Sequence, residues 1–131
     1  MDSFRTGIAG AIITLLSVAG GGVAAQGNPG AAALKNPVPA SPESTAAGKQ
    51  IYVRRCASCH AANGEGGPGN DLIPAAPSLV DDQVKLKTDG QVFNNIKNGV
   101  APDFNMVPFK DTLKDDEIWN VVNYLRSIAK K

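Results

Sequence analysis

The chain has 131 residues, with 13 basic against 12 acidic side chains and 43% hydrophobic residues. That length holds one domain and excludes a multidomain enzyme, and a net charge of +1 lacks the basic excess of a nucleic-acid binder. Two cysteines and one histidine cannot by themselves complete a structural zinc site, and they are too few for a disulfide-dense scaffold.

The N-terminus reads as an export signal. After a short polar start containing Arg5, Gly7 to Ala25 carries no charge and has Ile12, Ile13, Leu15, Leu16 and Val18 at its heart. Val23 and Ala25 are the small residues a signal peptidase requires, so residues 1–25 are expected to be cleaved before Gln26. The rival is an uncleaved membrane anchor, since the uncharged run approaches the ~20 residues needed to span a bilayer. Glycines at 7, 10, 20, 21 and 22 weaken that helix. Either reading places the rest of the chain in the periplasm, soluble or tethered through residues 7–25. Residues 26–44 hold Pro29, Pro37, Pro39 and Pro42 among alanines without apolar periodicity, the composition of an extended linker, either a tether holding the domain away from a membrane or simply a disordered mature N-terminus. Residues 45–131 form the folded part.

Three helices are expected there. Thr45 to Cys56 carries Ile51 and Tyr52 behind the punctuation of Pro42 and Ser44. Thr88 to Lys97 opens on a capping box, Thr88 with Gln91 three residues on, carries an apolar stripe at Val92, Phe93 and Ile96, and stops at Asn98-Gly99. The last helix has Ile118, Val121, Val122, Leu125 and Ile128 at helical spacing. Asp115, Asp116 and Glu117 begin it and Arg126, Lys130 and Lys131 end it, as the helix dipole favours. A further short helix fits Leu79 to Lys87. The apolar stripes read as core. Two Gly/Pro-rich loops, Ala61 to Pro77 and Gly99 to Thr112, separate these elements. A domain this small with few aromatics is expected to draw on something more than side chains for its core, such as a prosthetic group.

Cys56-Ala57-Ser58-Cys59-His60 gathers both cysteines and the only histidine. This is the C-x-x-C-H haem-attachment pattern. Residues three apart at a helix end lie on one side, so two thiols reach the two vinyl groups of one haem, and the adjacent imidazole turns to the iron. Three other readings compete. A thioredoxin-like pair needs a βαβ context, a zinc site lacks a dedicated fourth ligand, and a plain disulfide leaves His60 unexplained. Met106 is the only methionine beyond the initiator and stands 46 residues after His60, between Pro102 and Pro108. With no second histidine, its soft thioether is the candidate sixth ligand, and a Met/His pair raises the reduction potential.

These residues resemble the class I monohaem c-type cytochromes of the bacterial periplasm. The resemblance covers nearly all of residues 45–131 and not the linker. It implies an all-α cytochrome c fold, three main helices plus a short one, around one haem c bound covalently by Cys56 and Cys59. It implies His60 and Met106 as axial ligands. Gly48 and Tyr52 are similar to the family's glycine and aromatic on the first helix, where that glycine lets the first helix cross the last. Val121, Tyr124 and Leu125 match the facing positions. Ala76-Pro77-Ser78-Leu79 resembles the segment whose proline carbonyl accepts the axial histidine's free N–H. Thr88-Asp89-Gly90 and Met106-Val107-Pro108-Phe109 carry the flavour of one subgroup. Three positions depart from the pattern: Ala61 where the family usually has Gly, Val107 where many members have Pro, and Lys114 where a small polar cap is common, Asp115 being the substitute.

The function implied is electron transfer between redox proteins through transient interfaces, without bond-making chemistry and without nucleic acid. Membrane contact is expected only if the N-terminal segment stays uncleaved. Arg54, Arg55 and Lys110 are candidates to frame the haem edge for an acidic partner, against the reading of ordinary solvated charge. Three alternatives stand beside the carrier reading: an anchored subunit of an oxidase or dehydrogenase, which keeps the electron transfer; a haem enzyme or sensor in which Met106 is displaced; and a haem-free thiol oxidoreductase.

Overall fold

The computed structural model describes residues 28–67 and 75–129, and every regular element among them is helical. The expected signal or anchor lies outside the described residues, as do Lys130 and Lys131. A 3-10 turn at Ala31–Ala33 precedes α1 (Pro42–Arg55), α2 (Ala57–His60), α3 (Asp82–Lys85), α4 (Asp89–Asn98) and α5 (Asp115–Ile128). The three expected main helices are α1, α4 and α5, and the expected short one is α3. Among the described residues no helix is long and apolar enough to cross a membrane.

Helix α1 begins earlier than Thr45. Ser41 caps it, its Oγ accepting the Ser44 N–H at 3.1 Å, and Pro42 takes the first helical position, where its missing N–H costs nothing. The helix packs along α5, the most extensive pairing in the molecule. Gly48 permits the approach. A Cβ at that position would strike the Asn120 carbonyl oxygen of α5 and lie 3.0 Å from Tyr124 Cβ. One turn on, the Tyr52 and Tyr124 rings meet with centroids 5.2 Å apart.

Helix α4 carries the full capping box: Gln91 N–H donates to Thr88 Oγ1 (3.2 Å) and Thr88 N–H to Gln91 Oε1 (2.8 Å). Its Val92, Phe93 and Ile96 join Ile51 and Tyr52 of α1 in the core. From α5, Ile118, Val121, Val122 and Leu125 complete it, and Trp119 stacks on Phe93 at 4.1 Å between centroids. Helix α5 starts at Lys114, whose side chain offers no acceptor; its N–H donates to the Glu117 carboxylate instead (2.8 Å). Asp115, expected as the substitute cap, is the first helical residue and pairs with Lys97 at 2.8 Å.

The expected tether differs most. Residues 28–41 lie against the domain. Ala31 is buried, and its carbonyl rests where a Cβ on Gly90 would stand. Asn36 Nδ2 donates to Asn123 Oδ1 (2.8 Å), and Asn123 Nδ2 donates to the carbonyls of Val38 (3.2 Å) and Pro39 (3.3 Å) and to Ser44 Oγ (2.8 Å). The Ser44 hydroxyl passes the chain on to Asn120 Oδ1 at 2.6 Å. A proline-rich segment leaves carbonyls without partners of its own, and a buried asparagine of α5 meets them.

Candidate functional site

The site grows from the end of α1. Cys56 leaves helical geometry at φ −115° while its N–H still donates to the Tyr52 carbonyl (2.8 Å). Its own carbonyl then accepts from Cys59 (3.1 Å) and His60 (2.9 Å), so the motif forms the single turn α2. Cys56, Cys59 and His60 thereby line one cavity. Burial, and Cys59 beside it, push the Cys56 thiol up to about 11. A thioredoxin-type nucleophile needs the opposite shift.

His60 is buried, and its Nδ1 lies 3.0 Å from the Pro77 carbonyl oxygen. A carbonyl only accepts, so Nδ1 carries the proton and Nε2 keeps its lone pair. Burial holds the ring below the usual histidine range, against the opposing pull of Pro77, and favours this neutral form. Pro77 is set by paired loop segments: Gly67 N–H donates to Ala76 O (3.2 Å), Leu79 N–H to Gly64 O (2.7 Å) and Gly66 N–H to His60 O (2.9 Å). The buried Tyr52 hydroxyl donates to the Ala61 carbonyl at 2.7 Å and fixes the exit of the motif. Ala61 sits at φ 63°, ψ 162°, a conformation that favours glycine. The family's usual residue there now has its physical reason.

Met106 comes from the loop after α4. Gly99 turns the chain at φ 73°, and a Cβ there would lie 2.6 Å from the Met106 carbonyl oxygen. The loop closes through Val100 N–H to Met106 O (3.0 Å) and is tied to α4 by Phe109 N–H to Ile96 O (3.1 Å) and Lys110 N–H to Lys97 O (3.0 Å). These bonds hold it where a proline at 107 is missing; Val107 is exposed at the rim. Met106 is half-buried, packs against the core and lines the same cavity as the motif.

That cavity has a volume of about 360 Å³. Tyr52, Leu79, Val84, Ile96, Val121 and Leu125 make its walls apolar. Two thiols, a neutral imidazole and a thioether on one apolar cavity in a small domain form the donor set for a covalently held haem. Of the candidate rim cations, Arg55 lines the cavity, whereas Arg54 and Lys110 do not, in keeping with ordinary solvated charge at those two. Val84, Lys87, Asn95 and Asn105 line it as well, without having stood out in the sequence. Asn95 adjoins the apolar stripe of α4, the one pattern that pointed to it.

The family model for cytochrome c oxidase, cbb3-type, subunit III matches residues 43–125. The chain belongs to this family of c-type cytochromes. Cytochrome c6 of Cyanidium caldarium is 32% identical over 87 residues, covering 64% of this chain and 71% of that protein. Among solved structures, the KustC0563 c-type cytochrome superposes with a TM-score of 0.52 at 27% identity, over 63% of this chain and 98% of that one. Cytochrome cL from Methylophaga aminisulfidivorans superposes with the same TM-score, 0.52, at 24% identity, a likeness of fold; this chain spans about half (54%) of its length. The protein is thus a class I monohaem cytochrome with the cytochrome c fold and an electron carrier. Its cofactor is haem c, and Cys56 and Cys59 stand in the C-x-x-C-H sequence that attaches it.

Proposed function

We propose that this cytochrome is a periplasmic shuttle, passing single electrons between redox proteins through a haem whose iron is held by His60 and Met106. One observation supports the reading above the others. The Cys56, Cys59, His60 and Met106 side chains share one apolar cavity while Nδ1 of His60 is committed to the Pro77 carbonyl. Haem c, when bound, supplies the one-electron couple. The protein's residues do the rest. Cys56 and Cys59 anchor the group, Pro77 orients His60, Met106 favours the reduced state, and the apolar walls keep water out. Were His60 and Met106 both to hold the iron, no position would be left to bind a substrate, which suits a carrier rather than an enzyme. Residues 1–25 export the chain, and partners dock transiently at the rim of the cavity.

Potentiometry on Met106→Ala holoprotein tests the ligand. The potential is expected to fall, and the reduced protein to take up carbon monoxide; an unchanged potential removes Met106 from the iron. His60→Ala is expected to yield almost no holoprotein, and normal amounts with a native spectrum would contradict its role. Fractionation tests the shuttle: release on spheroplasting is expected, whereas haem retained in washed membranes would point to an anchored oxidase or dehydrogenase subunit.

A further inference from the structure

Arg126 lies on α5 beside Leu125, which lines the haem cavity, and its guanidinium reaches main-chain carbonyls of α3 and the residues after it. Its Nη1 donates to the Val84 carbonyl at 3.1 Å, its Nη2 to the Lys87 carbonyl at 2.6 Å, and its Nε to Asp89 Oδ1 at 2.7 Å. Val84 and Lys87 both line the cavity. They belong to the C-terminal end of α3 and the residues just after it; the Val84 carbonyl also accepts the Lys87 N–H (3.1 Å), and the Lys87 carbonyl lies beyond the helix. A planar fork of five N–H donors can serve two main-chain carbonyls and a carboxylate together; an ammonium on a flexible stem holds no such fixed fork. Helix α3 has four residues and too few turns to stand alone. Its place depends on what ties it to the rest.

We infer that Arg126 is a positioning residue: it holds the α3 wall of the haem crevice against α5 and so limits the access of water to the haem. Solvent exposure is one of the factors that set a haem potential, since water favours the more highly charged oxidised state. Loosening this wall lowers the potential without changing a ligand. The inference rests on the crevice and on haem c, and not on the identity of the sixth ligand.

The test is redox titration of purified holoprotein variants. Arg126→Ala is expected to lower the equilibrium constant for reduction by about tenfold, a shift of about 59 mV for one electron. Losing a positive charge also lowers a potential, so Arg126→Lys separates the two causes. It keeps the charge but not the fork, and a severalfold loss is expected there too. Asp89→Asn removes the ion pair and leaves both carbonyl bonds, and its potential is expected to stay at or slightly above the parent value. A parent-like potential in Arg126→Lys overturns the inference, whatever the alanine variant does and whether or not it accumulates. A loss of thermal stability with no change in potential overturns it as well, by making the role merely structural. Optical spectra of each variant report the axial ligands separately. Loss of the native ligand signature together with the potential overturns the wall mechanism, whereas a lower potential with that signature intact supports it.

Discussion

Ala61 follows His60 at φ 63°, ψ 162°, where a Cβ is strained by about 1–3 kcal/mol. Glycine adopts that conformation freely but gives the unfolded chain more freedom, offsetting up to about 1 kcal/mol. Ala61→Gly is therefore expected to stabilise the holoprotein by about 1 kcal/mol in denaturant unfolding. A loss of stability would contradict the strain. The carbonyl of this residue accepts from Tyr52, and burial above all raises that phenol from 10 to about 12. The folded protein thus keeps a proton that the unfolded chain releases first. The sign follows from linkage: the contribution is whole below pH 10 and is lost as pH rises toward about 12. Stability is expected to drop across that window in the parent and less steeply in Tyr52→Phe, which is itself weaker by about 1 kcal/mol at neutral pH. Equal slopes in the two proteins would contradict the assignment.

At the scale of elements, the crossing of α1 over α5 is decided at Gly48. Alanine there gains about 1 kcal/mol of helix propensity. It also drives a Cβ into the Asn120 carbonyl oxygen, and backbone cannot swing aside as a side chain can. The collision wins, and Gly48→Ala is expected to cost about 3 kcal/mol or more by denaturant unfolding; a neutral or stabilising result would mean the helices cross elsewhere. Helices α4 and α5 were legible because their signals are local: a reciprocal capping box at Thr88 and Gln91, and a long apolar period ending at Ile128. The start of α1 was less so, because Ser41 and Pro42 sit in a proline-rich stretch that reads as linker. Residues 28–41 were not legible, since what holds them is Asn123, more than 80 residues away in sequence, acting on main-chain carbonyls. Main-chain groups have no sequence signature. The same limit applies at Pro77, whose carbonyl, not its ring, meets His60; family resemblance alone pointed to it.

At the scale of the whole molecule, one small domain surrounds an apolar cavity with its donor atoms on the wall. Cys56-x-x-Cys59-His60 was readable as a unit because attachment chemistry fixes its spacing. Met106 stood out by elimination as the candidate ligand, being the only methionine beyond the initiator, and it lines the same cavity as the motif. The wall that Arg126 pins was not readable, because Arg126 also satisfies the ordinary preference for a cation in the last turn of α5. His60 and Met106 as the side chains that would hold the iron are the centre of the proposed function. Its most direct test is the optical spectrum of the purified holoprotein, oxidised and then reduced, extended into the far red. A sharp reduced c-type spectrum is expected and, in the oxidised protein, a far-red charge-transfer band from methionine sulfur to ferric iron. A c-type spectrum without that band would contradict Met106 as the ligand.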